Sequence, residues 1–409
     1  MTRPRAGLDA LLSVVEQLQG AAIPASVLET EVLPARVSGY KPADLDVLCV
    51  AGEVLWRGTS PIGPHDGRIA LFLPERYRLL APPAGKAEGD LAGKVRDLLA
   101  RRGALFFSDL VGETSAFPRE LLDALWDLVW AGEATNDTLA PLRSFLRGPA
   151  SRAGRRQLRG RSFRSRRAGP PGSEGRWSLL PKAVAGSAAP TETERRAAIT
   201  MALLERWGVL TREAVHAEDV PGGFSTVYPV AKAMEEAGRV RRGYFVAGQG
   251  AAQFALPGAD DRLRALRGPS DDDESRTVVL AATDPANPYG AAIAWPDGEG
   301  ARPQRVAGAQ VILHDGRLAA WLSRADRNLV TFLPDSEPER GDTAAAIAGA
   351  LASLVASGRR NVLLVARVDG EEPSRSPLAR HLADAGFLAG SRGYLRRPAP
   401  REVTVEADA

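Results

Sequence analysis

The chain has 409 residues, of which 44% are hydrophobic, and its formal net charge is +3. This length predicts about two to four folding units of ordinary globular composition. The single cysteine, Cys49, excludes disulfides within the chain and four-cysteine zinc sites, and the four histidines lie far apart. We find no signal peptide, and the most apolar stretch, residues 344–355, is too short to cross a bilayer. We therefore expect a cytoplasmic protein with no membrane partner, no metal and no other cofactor.

Positive charge is concentrated between Arg152 and Arg167, where eight arginines occur with no acidic residue among them. Such a run is usually solvated, and it often contacts a polyanion. A plain linker and a nucleic-acid contact are both consistent with this run. Nucleic acid is the most natural polyanion for a basic chain, so Arg155 and Arg156 are candidate contacts.

One junction occurs three times along the chain. In each copy a helical pattern ends at Ala-Gly and an extended pattern follows, at Ala51-Gly52, Ala131-Gly132 and Ala237-Gly238. A glycine directly after a helix can adopt the left-handed conformation that ends it. Because the third helix of a helix-turn-helix joins the wing hairpin in this way, the repeat predicts three winged-helix domains.

The first two copies have matching parts. The elements predicted for the first are a helix over 8–18, a helix from Pro42, strands over 53–57 and 68–73, and a turn at 65–67. Those predicted for the second are a helix over 91–101 ended by Gly103, a helix from Pro118 to Gly132, and a short wing near 136–137.

The third copy carries the clearest signals. Thr191 and Glu194 form a capping-box pattern at the start of a helix that Gly208 ends. Thr211 can cap a second short helix that ends near Ala217, and a turn at 221–223 leads to the third helix. The remaining predicted elements are that third helix over 225–237, wing strands over 239–246 and 252–256, and a turn at 248–250.

Six residues of the third copy are candidate DNA contacts. They lie away from the predicted core or at the start of the wing, and they are Ser225, Thr226, Lys232, Arg239, Arg241 and Arg242. Many winged helices only brace neighbouring domains or bind protein. A single copy is therefore weak evidence, and three copies together with the arginine run favour DNA binding.

The composition changes after the acidic run at 271–274. Strands are predicted over 278–282, 309–313, 318–323, 329–333, 362–368 and 394–396, with helices over 342–357 and 377–385 and a hairpin turn at Asp315-Gly316. We interpret the fold as α+β, with tandem winged-helix domains followed by a mixed α/β barrel-like domain. The predicted domains are winged helices over 1–83, 88–148 and 190–268, an Arg/Gly/Pro-rich linker over 149–189, the barrel-like domain over 276–400, and a tail over 401–409.

The motifs exclude several reactions. The sequence has no Gly-Lys-Ser or Gly-Lys-Thr loop and no zincin motif, so this chain should not hydrolyse ATP by itself. Cys49 lies in an apolar helical pattern and is expected in the core. The remaining catalytic candidates are carboxylates, Asp284 in a loop stiffened by two prolines and Asp408 near the C-terminus. The alternative for Asp284, which we favour, is that it caps its own turn.

Several stretches resemble the C-terminal region of the large helicase-related protein, Lhr, a bacterial superfamily 2 DNA helicase. They include LPARV at 33–37, LWDLVWAG at 125–132, TNDTLAPL at 135–142, GRWSLLP at 175–181, VPGGFS at 220–225 and ATDPANPYG at 282–290. The resemblance implies a repair role beside an ATP-driven motor, supplied in cis or in trans. It also implies a tail similar to AlkZ-type DNA glycosylases, to which uracil excision has been ascribed in one branch. Those glycosylases use Gln-apolar-acid or Gln-apolar-Gln, and Gln253-Phe254-Ala255 lacks the third residue.

These observations favour a binding and assembly module that holds duplex, branched or single-stranded DNA. We expect it to be associated with the nucleoid, and a homo-oligomer is left open. Phosphate contacts from arginines would dominate its affinity and make it strongly dependent on salt. The alternative is a uracil-type DNA glycosylase that acts on a flipped base with a carboxylate. A stand-alone transcription regulator ranks last, because the three copies are divergent and unevenly spaced.

Overall fold

The structure, a computed structural model, describes residues 5–148, 169–181, 189–250, 252–266 and 276–398. Arg155, Arg156 and Asp408 lie outside these residues. The chain divides into an N-terminal part, Met1–Leu263, and a C-terminal part, Arg264–Ala409. Within the described residues, no helix is long and apolar enough to cross a membrane.

The first winged helix follows the predicted pattern closely. Its elements are β1 (Arg5–Ala6), α1 (Leu8–Leu18), β2 (Ile23–Pro24), α2 (Ala25–Val27) with a π-helical turn (Leu28–Val32), β3 (Val37–Ser38), α3 (Pro42–Val50), β4 (Leu55–Gly63), β5 (Asp66–Phe72) and α4 (Pro74–Leu80). The sheet has the order β2-β5-β4. The predicted helix over 8–18 and the helix start at Pro42 are confirmed, whereas the wing strands extend further toward the turn than expected.

The second winged helix uses a strand from the expected linker. Its elements are α5 (Asp90–Arg102), β6 (Leu105–Phe106), α6 (Phe107–Thr114), α7 (Pro118–Trp130), β7 (Ala134–Asn136), α8 (Ala140–Arg147) and β8 (Arg176–Leu179). The sheet order is β6-β8-β7, so β8 is its central strand. Trp177 of β8 is fully buried. This apolar anchor explains why part of the segment 149–189 belongs to the domain and is not a linker.

The third winged helix contains the predicted caps. Its elements are α9 (Glu192–Trp207), β9 (Val209–Leu210), α10 (Arg212–Ala217), α11 (Phe224–Glu236), β10 (Arg241–Gly243) and β11 (Gln253–Ala255), followed by α12 (Ala259–Ala265). The Thr191 side chain accepts a hydrogen bond from the Glu194 amide, and Thr211 caps α10 through the Ala214 amide. The wing strands are shorter than predicted, and the sheet order is β10-β11-β9.

The three Ala-Gly junctions have the same geometry. Gly52, Gly132 and Gly238 have φ values of 77°, 70° and 71°. The amide after each glycine donates to the carbonyl five residues earlier, at 3.0, 2.9 and 2.8 Å. This is the Schellman arrangement, in which a left-handed residue ends the helix and satisfies its last carbonyls. The repeated Ala-Gly pattern therefore reflects one helix-ending backbone conformation that occurs three times.

The C-terminal part contains two sheets and no closed barrel among the described residues. Its elements are β12 (Thr277–Ala281), β13 (Gln310–His314), β14 (Arg317–Leu322), β15 (Asn328–Thr331), α13 (Glu339–Ala356), β16 (Leu363–Val365), β17 (Arg367–Val368), a 3₁₀ turn (Pro373–Arg375), α14 (Leu378–Asp384), β18 (Leu388–Gly390) and β19 (Gly393–Arg396). The sheet orders are β12-β13-β14-β15-β17 and β16-β19-β18. The α+β class is confirmed, and the barrel-like description is corrected to an open five-stranded sheet beside a three-stranded one.

Two local predictions in this part have different outcomes. The turn at Asp315-Gly316 is confirmed, with positive φ at both residues, between the antiparallel strands β13 and β14. The single strand predicted over 362–368 is divided into β16 and β17, which join different sheets. Helix α13 packs in an apolar cluster with Leu363 and Val368 from both strands, so one buried run supplies two sheets.

Candidate nucleic-acid interface

The first two winged helices are joined by an ion-pair cluster. Arg143 of α8 donates to Glu29 at 2.7 Å and to Asp46 of α3 at 2.6 Å. The Asp46 carboxylate also accepts from the Leu139 amide at 2.8 Å. Burial alone would lower the pKa of Arg143, but hydrogen bonds with Glu29 and Asp46 outweigh it and hold the pKa above its ordinary value. The third helix of the first winged helix is thereby fixed to the second.

The wing of the first winged helix also packs on the second. Trp56 of β4 is fully buried and donates its indole N–H to the Asn136 carbonyl at 2.8 Å. Gly58 of β4 lies so close to α7 that an added Cβ would be 2.5 Å from the Val129 carbonyl oxygen. Wing and third helix therefore serve as contacts between domains here.

The third helices of these two domains carry an acidic surface. Helix α3 contains Asp44 and Asp46 and no basic residue. Helix α7 exposes Glu120, Asp123 and Asp127 against a single arginine, Arg119. Phosphate repels such surfaces, so neither helix is suited to lie along a DNA backbone.

The third winged helix contacts the first through α9. Arg206 donates to the Gln19 carbonyl at 2.7 Å, and Arg195 donates to the Arg78 and Ala81 carbonyls at 2.6 and 2.7 Å. The apolar cluster around α11 is drawn from residues 199–256 alone. Helix α11 therefore has a core of its own.

The six sequence-predicted residues of this domain lie on α11 and its wing. Ser225 is exposed and Thr226 half-buried, and their hydroxyls donate to the Gly222 and Pro221 carbonyls at 2.6 and 2.8 Å. Exposed Lys232 lies 3.8 Å from Glu236, on the same helix face. Ser225 and Thr226 are thus held at the start of α11, and Lys232 lies in its last part.

The wing arginines differ in their partners. Arg239 and Arg241 are exposed, and among the described residues their guanidinium groups have no hydrogen-bond or ion-pair partner. Arg242 lies 3.5 Å from Glu235 of α11. Two free cations therefore stand at the base of the wing, and a third is partly neutralised.

Beside the start of α11 lies a groove of about 800 Å³, which the sequence did not predict. Arg212 and His216, one turn apart on α10, line it together with Ser225 and Tyr228. Both α10 residues are exposed, and Arg212 has no ion-pair partner among the described residues. The Thr211 cap could have revealed this pair, because it fixes where α10 begins and hence which residues share its face.

Gln253 has a structural role in the wing. It is fully buried, and its side-chain oxygen accepts from the Phe245 and Val246 amides at 2.9 and 2.8 Å. Its side-chain nitrogen donates to the Val246 carbonyl at 2.8 Å. These bonds occupy the amide and hold the wing loop, so it is not presented to a substrate.

The structure describes one of the two candidate carboxylates, Asp284. Asp284 is fully buried, and its Oδ1 accepts from the Ala286 amide at 2.7 Å, which is the geometry of a turn cap. Asp408 lies outside the described residues. Cys49 is buried as expected, and burial together with Asp46 raises the pKa of its thiol to about 12. Within the described ranges, no group of three or more His, Cys, Asp or Glu side chains could hold a metal.

Comparison with known proteins agrees with the resemblance seen in the sequence. The family model for a winged-helix domain of the large helicase-related protein, described as the third, matches residues 1–74, and the model for the fourth matches residues 189–275. These two segments thus match winged-helix domains of Lhr, which confirms the resemblance predicted from the sequence.

Two relatives extend this Lhr likeness over nearly the whole chain. "Lhr helicase/ probable uracil glycosylase" of Mycolicibacterium smegmatis is 45% identical over 96% of the chain and 27% of that protein. "Lhr helicase/uracil glycosylase" of Escherichia coli is 34% identical over 95% of the chain and 26% of that protein. The chain thus spans about a quarter of the length of these Lhr relatives.

Among solved structures, one match is the DNA glycosylase AlkZ of Streptomyces sahachiroi. It covers 84% of this chain and 96% of its own, at 16% identity and a TM-score of 0.42.

Proposed function

We propose that this chain is a DNA-binding module for an Lhr-type repair helicase and that it holds duplex DNA on its third winged helix. The observation that carries the proposal is that the three third helices differ in their partners and in the basic residues beside them. Helices α3 and α7 are acidic and contact each other's domains, whereas α11 has its own core and free arginines beside it. Arginine contacts to phosphate supply most of the affinity of such modules.

The groove beside α11 supports the same placement. Arg212 on α10 and Arg239 and Arg241 on the wing lie on the elements that flank a recognition helix in a helix-turn-helix. In that geometry the recognition helix enters the major groove while neighbouring elements contact the backbone. Ser225 and Lys232 would then lie nearest the base edges.

A salt titration tests the proposal. Anisotropy of a labelled duplex is measured with the full chain and with an Arg239→Ala/Arg241→Ala double variant. Loss of two phosphate contacts should lower the slope of log K against log salt by about 2 and weaken binding at least about tenfold at moderate salt. The matched control is Arg76→Ala/Arg119→Ala, which removes two exposed arginines from the first two winged helices.

Two outcomes would contradict the proposal. One is the absence of duplex binding at low salt. The other is an equal loss in the test and control variants, which would show that net charge and not the third winged helix determines affinity.

A helicase motor, in cis or in trans, is the partner we propose for translocation, because the relatives are named helicases and this sequence has no phosphate-binding Gly-Lys-Ser/Thr loop. ATP hydrolysis by this chain alone would contradict that division of labour. A homo-oligomer and a nucleoid location stay predictions. Sedimentation analysis would test the first, and imaging of a labelled chain would test the second.

Uracil excision is a second candidate function, favoured because both relatives are named as uracil glycosylases, one of them as a probable one. The reaction would add water across the N-glycosidic bond of a flipped base, releasing uracil and leaving an abasic site. The test is incubation with uracil-containing DNA followed by alkali, which should break strands at abasic sites. Strand breaks no higher than in buffer would reject the activity for this chain.

Two variants then separate the candidate carboxylates. Asp284 is buried as a turn cap, so we expect Asp284→Asn to retain excision and Asp408→Asn to lose it. Full activity in both variants would exclude both residues as catalytic groups.

A further inference from the structure

The C-terminal part contains an arginine-rimmed groove of about 550 Å³. Three arginines line it, Arg327, Arg367 and Arg392, together with Tyr394 and the single carboxylate Glu372. All three arginines are exposed. The groove lies outside the three winged helices and is independent of the surface proposed above.

The groove forms where the chain passes from one sheet to the other. β16 pairs with β19, and β17 pairs with β15, so the crossover falls at Ala366. The Arg327 carbonyl accepts from the Ala366 and Arg367 amides, both at 2.9 Å, which fixes the loop carrying Arg327 against this crossover. The wall is therefore built from hydrogen-bonded backbone.

The hairpin of β18 and β19 forms another side of the groove. Gly393 has a φ of 120°, and a Cβ added there would lie 2.8 Å from the Ala366 Cα. Only glycine permits this approach, which brings Arg392 and Tyr394 to the crossover. Tyr394 is half-buried and packs against the apolar cluster of α13, so its ring is held in place.

The arginines of the groove are weakly neutralised. Among the described residues, the guanidinium groups of Arg327 and Arg392 have no hydrogen-bond or ion-pair partner. The Arg367 guanidinium group donates one long hydrogen bond, of 3.5 Å, to the Gly370 carbonyl. Three arginines against one carboxylate, Glu372, leave the groove with a net positive charge, and an anion bound among them gains Coulomb energy. The groove therefore favours an anionic ligand.

We propose that this groove binds one strand of single-stranded DNA, with the arginines on successive phosphates and Tyr394 against a base. Arginine forks match phosphate oxygens, and aromatic rings stack on bases of any sequence. A duplex keeps its bases inside, so Tyr394 could not reach one. The cavity volume is in the range of sites that enclose a small ligand, enough for a short stretch of one strand.

The test compares a triple variant, Arg327→Ala/Arg367→Ala/Arg392→Ala, with a control, Arg302→Ala/Arg317→Ala/Arg324→Ala. The control removes three exposed arginines of the same part that do not line the groove. Binding of the full chain to labelled oligothymidylate and to a duplex is followed by anisotropy over a salt series. Circular dichroism and thermal unfolding confirm that both variants are folded.

We expect the groove variant to bind oligothymidylate at least about tenfold more weakly, with the salt slope reduced by about 2 because each single-strand phosphate contributes about 0.7. Duplex binding should change little, because we propose that the duplex binds to the third winged helix. The two proposals can therefore fail independently of each other. Equal losses in the two triple variants, or unchanged oligothymidylate binding, would overturn the proposal.

Competition distinguishes a DNA strand from a small anion. If inorganic phosphate displaces oligothymidylate as effectively as unlabelled oligothymidylate at equal phosphate concentration, the groove is a small-anion site and the single-strand assignment is wrong. Weak competition by inorganic phosphate and strong competition by the oligonucleotide are the expected results.

Discussion

The first two winged helices and the third share the same helix-ending backbone conformation but differ in what surrounds it. In all three, a left-handed glycine ends the third helix and directs the chain toward a wing. In the first domain, the helix before this glycine and the wing after it contact the second domain through Asp46 and Trp56. In the third domain, exposed arginines follow the glycine at the start of the wing.

This difference shows that the winged-helix fold does not by itself specify DNA binding. In the proposed function, the neighbours of the third helix and the basic residues beside it decide the role of each copy. An acidic helix that is paired with Arg143 stabilises the molecule, while a helix beside unpaired arginines can receive a phosphate backbone. Variants at each kind of surface should therefore affect different measurements.

The largest expected effect comes from Arg143→Ala. Arg143, Glu29 and Asp46 are 20%, 13% and 25% exposed, so removing the arginine leaves two largely buried carboxylates without their cationic partner. Loss of one partner from a buried cluster should cost about 3 kcal/mol of unfolding free energy. Urea unfolding followed by tryptophan fluorescence measures this, because four of the seven tryptophans lie in the first two winged helices.

The control for this prediction is Arg102→Ala, which removes an arginine whose pair with Glu113 is about half exposed. An exposed pair contributes little, so stability should be nearly unchanged. Duplex affinity should be unaffected in both variants under conditions where they are folded. Weaker DNA binding by folded Arg143→Ala would show that the first two domains also contact DNA.

A smaller effect is expected from Gly58→Ala. The new methyl group would press on the Val129 carbonyl oxygen, which belongs to the backbone and cannot move aside easily. Overpacking of this kind should destabilise the pairing of the first two domains by about 2 kcal/mol. Gly63→Ala is the matched control in the same strand, because a Cβ there meets nothing within 4 Å. Similar unfolding midpoints for the two variants would refute this packing.

Local signals in the sequence predicted the fold well. Thr191, Thr211 and Gly208 were expected to bound the helices of the third domain, and each does so. The same is true of the Asp315-Gly316 turn. In these cases the residue that decides the structure lies within a few positions of the element, so short-range hydrogen bonding and backbone preference suffice.

The failures involve partners that are distant in sequence. Strand β8 pairs Trp177 with Asn136, and nothing near Trp177 indicates that partner. Likewise, a single apolar run at 362–368 gives no sign that its halves join different sheets. The pairing of Arg143 with Glu29 spans 114 positions and was not predicted. Of the candidate nucleic-acid interface, only the residues of the third winged helix could be predicted from the sequence. The roles of α3 and α7 depend on contacts between residues that are distant in sequence.

The smallest expected effect lies in the capping box of α9, where Thr191→Ala should cost about 1 kcal/mol of stability. The backbone hydrogen bond from Thr191 lowers the pKa of Glu194 below its ordinary value. The stabilisation by the charged carboxylate is therefore present above the unfolded pKa, about 4.3, and is lost as the pH falls through the lower folded pKa. Glu194→Gln should accordingly be less stable than the parent at neutral pH and equal to it in strong acid, while Glu205→Gln, an exposed change on the same helix, should differ at neither pH. A difference that persists in acid would mean that the carboxylate charge is not what caps α9.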